Sequence, residues 1–164
     1  MAHDLAKSPF EQWDDDLAHS IIMEHKDRPG ALMPILTALS EKFGFIHPDF
    51  VGDIAKALNL SRAEVHGVIT FYHDFRTRPP GRHVVKVCQA EACQAVQADK
   101  LINDLKKHLG IGFHDTTKDG YFTLEPVYCF GNCACGPSLM INEELYAKVG
   151  SEDIPHILKR YKGA

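Results

Sequence analysis

The sequence predicts an α+β fold, a bundle of short helices followed by a small α/β layer on one sheet. Three observations predict it. Up to Phe75 apolar residues recur every three or four positions, the spacing of a buried helix face. Arg76-Thr77-Arg78-Pro79-Pro80-Gly81 then breaks that pattern, because two prolines and a glycine do not continue a helix. Beyond the break, valine-rich and alternating stretches follow in the order β-α-β-β-α, which suits a single covered sheet. The 164 residues accordingly divide into a helical segment at 1–75, a linker at 76–82 and a second domain at 83–164. Residues 1–10 lack periodicity and read as flexible.

The elements follow in order. From Gln12, the stripe Trp13, Leu17 and Ile21 defines a first helix that ends before Pro29-Gly30. A second carries Leu32, Ile35, Leu36, Leu39 and Phe43 and stops at Gly44, with Pro34 tolerable only in its first turn. Pro48-Asp49 opens a third, with Phe50, Val51, Ile54, Ala55 and Leu58 inward. Ser61-Arg62-Ala63-Glu64 is a capping box, opening a fourth whose apolar face is Val65, Val68, Ile69 and Tyr72. In the second half, His83–Cys88 reads as a strand, Val96–Leu109 as a helix and Tyr121–Tyr128 as a strand after the Asp119-Gly120 turn. Leu139–Asn142 and Tyr146–Val149 read as strands paired across Glu143-Glu144. Ser151 reads as the cap of a last helix that buries Ile154, Ile157, Leu158 and Tyr161.

Composition excludes several classes. Apolar residues make up 45% and charged residues 24%, an ordinary globular balance. No apolar run approaches the ~20 residues of a membrane span, and the start shows no secretory apolar core, so the expected address is the cytoplasm. Residues 1–75 carry 12 acids and 6 bases, the remainder 10 acids and 12 bases. The cationic excess falls in the half with the cysteines, but no basic run interleaved with aromatics points to nucleic acid. There is no Walker loop, G-x-G-x-x-G fingerprint or Ser/His/Asp set, so the chain is assigned no catalytic residues of its own. His66 and His73, seven apart, read as surface or interface residues. Asp14-Asp15-Asp16 reads as a helix start that favours acids, and Lys106-Lys107-His108 as a helix end that favours bases.

The chemistry resides in five cysteines between positions 88 and 135. A cytosolic chain seldom keeps structural disulfides, so such a cluster points to metal or redox chemistry. The spacing is Cys88-x4-Cys93, then 35 residues, then Cys129-x3-Cys133, with Cys135 two further on. Two thiolate pairs suit a tetrahedral S4 site or a two-iron cluster. The x4 gap leans towards iron–sulfur, with structural zinc and a thiol redox switch as alternatives. No C-x-x-C supports a thioredoxin-type dithiol, and no histidine lies close to either pair as a Rieske centre requires. Gly131, Asn132 and Gly136 permit backbone angles that aim N–H groups at sulfur, and Phe130 is placed to exclude water.

The cysteine spacing together with Cys129-Phe-Gly-Asn-Cys-Ala-Cys-Gly-Pro137 resembles the thioredoxin-like [2Fe–2S] subunit of NADH:quinone oxidoreductases. The same subunit type occurs in NAD-reducing hydrogenases and, as the gamma subunit, in NAD-dependent formate dehydrogenases. The likeness continues through Leu60-Ser-Arg-Ala-Glu-Val-His-Gly-Val-Ile-Thr-Phe-Tyr-His-Asp-Phe75 and the helix at 36–45, covering about residues 15–162. It implies a thioredoxin-like α/β [2Fe–2S] ferredoxin domain with Cys88, Cys93, Cys129 and Cys133 as the four ligands and Cys135 outside the set. It implies one [2Fe–2S] cluster in this chain, with FMN, further iron–sulfur clusters and a molybdenum or tungsten cofactor only in partners. Those partners are a flavin- and NAD-binding beta-type subunit and a larger iron–sulfur, molybdopterin-containing alpha-type subunit. The segment His66–Phe75 looks most like the formate dehydrogenase branch. The expectation is therefore an electron-transfer subunit of a cytoplasmic formate dehydrogenase, with NADH:quinone oxidoreductase or NAD-reducing hydrogenase as its alternative.

Overall fold

Helix capping sets the boundaries of the first unit. The computed structural model describes residues 10–162, which separate into Phe10–Pro79 and the chain from Pro80 onward. The expectation of flexibility at residues 1–10 lies outside the described residues but for Phe10. Helix α1 (Asp15–His25) starts where the Asp14 carboxylate accepts the Leu17 N–H at 2.8 Å. Asp14 itself is extended, so Trp13 stands ahead of the helix instead of within it as the periodicity suggests. Freed from the helix, the indole packs on Phe43, Phe45 and Phe50, with centroids 4.5, 5.3 and 5.0 Å away.

Helix α2 (Leu32–Phe43) ends at Gly44 in the left-handed region (φ 78°), whose N–H returns to the Ser40 carbonyl at 2.8 Å. Pro34 lies in its first turn. A 3₁₀ turn at Pro48–Phe50 leads into α3 (Val51–Leu58), and α4 (Arg62–Phe71) opens with the Ser61/Glu64 capping box. Ile35, Leu36, Leu39, Ile54 and Val65 are fully buried and hold the four helices around one core. Tyr72, expected on the inner face of α4, follows the helix end with an extended backbone and is 44% exposed.

The second unit is a four-stranded mixed sheet in the order β2-β1-β3-β4. Strand β1 (His83–Cys88) pairs in parallel with β2 (Phe122–Val127) and antiparallel with β3 (Leu139–Ile141), which pairs with β4 (Glu144–Tyr146). The parallel pairing requires a crossover, and α6 (Ala98–Leu109) supplies it. Val85, Val87, Leu124 and Ile141 point to one face, where Leu101 and Leu105 of α6 and Leu158 of α7 (Ile154–Lys159) cover them. The outer edge of β2 is occupied by the preceding loop: His114 N–H donates to the Leu124 carbonyl and Thr117 N–H to that of Phe122. Pro126, two residues on, presents no N–H.

Three local expectations change. The helix expected from Val96 begins at Ala98, because Gln97 is left-handed (φ 71°) and a separate turn, α5 (Glu91–Gln94), precedes it. The hairpin turns at Asn142 (φ 55°), so β4 is Glu144–Tyr146 and not 146–149; asparagine tolerates that conformation where glutamate does not. The last helix is preceded by a 3₁₀ turn at Ser151–Asp153, so Asp153 and not Ser151 stands at its N-cap position; the Asp153 carboxylate accepts the Gly150 N–H at 2.8 Å and makes no side-chain cap bond to the helix.

One polar group in this unit has a consequence for stability. Asn142 Oδ1 accepts the Val84 N–H, so its Nδ2 donates to Nδ1 of buried His83 at 3.0 Å and leaves the ring proton on Nε2. That Nε2 is buried without a hydrogen-bond partner. Burial first, and the neighbouring Arg82 charge second, hold the imidazole below its ordinary pKa; the Tyr161 main chain opposes this without reaching hydrogen-bonding geometry. With the folded pKa depressed, the unfolded chain takes up the proton first, so His83's contribution is complete above the ordinary value of 6.5 and declines as pH falls below it. Thermal denaturation across a pH series should show the melting temperature dropping below neutral pH, with a shallower drop in His83→Gln.

Candidate metal centre

The parallel register of β1 and β2 sets Cys88 opposite Val127, so both strands end at the same edge of the sheet. Each end releases one cysteine pair. Cys88 closes β1 and Cys93 sits in α5; Cys129 follows β2 by two residues and Cys133 opens a 3₁₀ turn, Cys133–Cys135. The four thiols line one small cleft together with Phe130, Asn132 and Ser138. No histidine or carboxylate lines it. Phe130 packs against buried Cys88 and Cys93, as its expected water-excluding role requires.

The two pairs differ in exposure and in electrostatics. Cys88 and Cys93 are each 2% exposed, whereas Cys129 and Cys133 face solvent. Burial, reinforced by a hydrogen bond with Cys88, pushes the Cys93 thiol up, and the Ser138 main chain partly offsets it. The Gly131 N–H, 3.1 Å from the Cys129 sulfur, pulls that thiol down, and the Cys133 thiol adds to the effect. Cys133, whose sulfur is 3.5 Å from that of Cys129, is correspondingly pushed up. Gly131 can aim its N–H this way because it adopts φ 78°, which carries no penalty for glycine.

Some features of the cleft lie outside the reach of sequence reasoning. Gly136 is extended (φ −73°) and does not take the unusual angle expected of it; it matters instead for space, since a Cβ there would lie 3.1 Å from both Cys93 Sγ and Val96 Cγ2. Ser138 is the functional residue that spacing does not reveal. It is 1% exposed, its carbonyl accepts the Cys88 N–H at 3.1 Å, and its hydroxyl bridges Asn132 Nδ2 and the Cys135 carbonyl. A serine after a proline carries no signal of that kind in one sequence. Cys135 does not line the cleft; its main chain bonds to Asn132 and Lys148. His66 and His73 are both exposed. Among the described residues no three His, Cys, Asp or Glu side chains are grouped to hold a single metal ion.

The profile of the thioredoxin-like [2Fe–2S] ferredoxins matches residues 18–162, nearly the whole chain. The chain belongs to that family. Membership implies one [2Fe–2S] cluster, and the donor set fits it: four thiols in one cleft, two sheltered and two at its mouth, with a main-chain N–H already directed at sulfur. Among curated relatives, an NADH-quinone oxidoreductase subunit of Escherichia coli (strain K12) is 36% identical over 85% of this chain and 85% of its own length. The protein of the same name from Pseudomonas aeruginosa is 33% identical over 85% of this chain and 84% of its own. Among solved structures, an NAD+-reducing [NiFe]-hydrogenase in the H2-reduced state superposes with a TM-score of 0.63 at 20% identity. That match covers 77% of this chain and spans only 22% of the hydrogenase chain, and it shows a shared fold. The thioredoxin-like ferredoxin fold with N-terminal helices is thus the fold of this family member.

Gly136→Ala should displace the Cys93 sulfur by a few tenths of an ångström and lower iron and acid-labile sulfide per chain. Backbone circular dichroism should remain unchanged, since the added methyl meets only side chains and the Cys93 Cα. Chemical analysis of the anaerobically purified variant checks both.

Proposed function

We propose that this chain is the one-electron-carrying [2Fe–2S] subunit of an NADH:quinone-oxidoreductase-type complex, with Cys88, Cys93, Cys129 and Cys133 as its ligands. The observation that carries the ligand set is the convergence of these four thiols, and no other ionisable side chain, on one cleft. Two thiolates on one tetrahedral metal with bonds of ~2.3 Å lie about 3.8 Å apart. The Cys129–Cys133 separation of 3.5 Å is of that order, and the four thiols of the cleft would together hold the cluster. When bound, the cluster supplies reversible acceptance of a single electron. The protein's part is to hold the inner pair away from water, to donate the Gly131 N–H to Cys129 and to leave the outer pair open towards a redox partner.

The choice of complex rests on the relatives. The curated proteins compared above bear the quinone-oxidoreductase name at 33–36% identity, and they favour that alternative over the formate dehydrogenase expected from the His66–Phe75 segment. With that complex as the reading, the expected alpha-type molybdopterin partner drops out. A flavin- and NAD-binding partner close to Cys129 and Cys133, and a cytoplasmic address, remain part of it. No helix among the described residues is long and apolar enough to cross a membrane.

Anaerobic purification should give two irons and two acid-labile sulfides per chain, with visible absorption and a paramagnetic signal on reduction. Serine at Cys88, Cys93, Cys129 or Cys133 should remove or alter that signal, and Cys135→Ser should preserve it. Zinc in place of iron, or full absorption in all four ligand variants, overturns the assignment. Copurification from the host, with NADH, formate and hydrogen each tested as electron donor, decides the complex.

A further inference from the structure

A second surface lies at the opposite end of the sheet from the cysteines. It is a groove of about 550 Å³ where α6 ends and β2 begins. The twelve residues of α6 span about 18 Å and the six of β2 about 20 Å, so the groove is separated from the thiols by roughly that length. Its floor is apolar, made by Leu109, Ile111, Phe122 and Leu158. Its rim is cationic through Lys118 from the turn before β2 and Lys159 and Lys162 at and beyond the end of α7, and His108 from the last turn of α6 adjoins them.

The charge there is largely uncompensated. Asp119 is the one carboxylate in the lining, and it is already engaged by the Thr117 hydroxyl, the Tyr121 N–H and Lys162 at 3.2 Å. Those partners hold it down at about 2, so it stays ionised and matched to a single lysine. Lys118 and Lys159 form no ion pair among the described residues, and both are exposed. Unmatched ammonium groups beside an apolar floor attract a ligand that carries both acids and apolar side chains.

The geometry disfavours a compact anion. A phosphate site needs converging N–H groups or a helix N-terminus. Here α6 presents its C-terminal end, the negative pole, and the lysines are spread around the rim on two segments. Acids distributed along an extended or helical segment meet dispersed lysines far better than one concentrated dianion does. We propose that this groove docks an acidic segment of a partner subunit whose apolar side chains fill the floor, so that this unit is gripped at the end remote from its cysteines. The proposal rests on the reading of the chain as a subunit of a larger complex, and it adds a contact that the cleft does not make.

The test places a photo-crosslinker, p-benzoylphenylalanine, at Lys118 or Lys159 of the full chain in its host, followed by purification of the complex and sequencing of the adduct. The expected adduct lies in a segment of a copurifying subunit that is net acidic and carries apolar residues. An adduct with a neutral or basic segment, with a second copy or with nucleic acid overturns the proposal, and so does the absence of any adduct. The Lys118→Glu/Lys159→Glu double variant should retain that subunit at least about tenfold less well, with iron per chain unchanged; undiminished retention overturns the proposal. Should the reversal lower iron content, Lys118→Gln/Lys159→Gln takes its place under the same criterion. Titration of the isolated chain with inorganic phosphate and ATP, followed by nuclear magnetic resonance, should give no saturable shifts in the groove, and sub-millimolar saturation there overturns it. Iron content reports on the cleft and adduct identity on the groove, so failure of either reading is visible separately.

Discussion

The parallel register between β1 and β2 is the constraint on which the metal centre depends. Cys88 and Cys129 are forty-one positions apart in the chain, and nothing local holds them together. Six consecutive partners, from His83 with Phe122 to Cys88 with Val127, bring both exits to one edge. The register is in turn fixed by burial: Val85, Val87, Phe122 and Leu124 must face the α6 side, and a slip by one residue would turn all of them to the other face. Core packing and the convergence of the four thiols are thus one requirement.

Around that constraint the environment of each sulfur is set by its distance from the core. The inner pair is buried beside Phe130, and at Cys93 that burial penalises charge. The outer pair sits on a loop where a left-handed glycine offers a dipole, which favours charge at Cys129. The cleft thus has one sheltered and one accessible side.

Much of this was legible in the sequence because it is local or periodic. The capping box at Ser61/Glu64, the Gly44 terminator and the β1 span His83–Cys88 follow from residue type and spacing alone. Trp13 misled because its i+4 stripe continues through Asp14, and a capping carboxylate outranks periodicity at a helix start. The hairpin shift to Asn142 and the break at Gln97 depend on single backbone angles that tertiary packing imposes. In the cleft, cysteine spacing marked the thiols, but the roles of Gly136 and Ser138 exist only across the fold, in a close approach and in a returning carbonyl. The basic groove was visible only as a charge imbalance, since its lysines and its floor come from segments that are distant in the chain.

Strand β2 borders the sheet, and a bare border normally invites another chain to add itself as a further strand. Here the outward groups of Phe122 and Leu124 are consumed by the 114–117 loop, and the next outward position is Pro126, which has nothing to donate. Backbone zippering along this side is closed off. A protein approaching along β2 must therefore bind through side chains and loops and not by adding a strand to it.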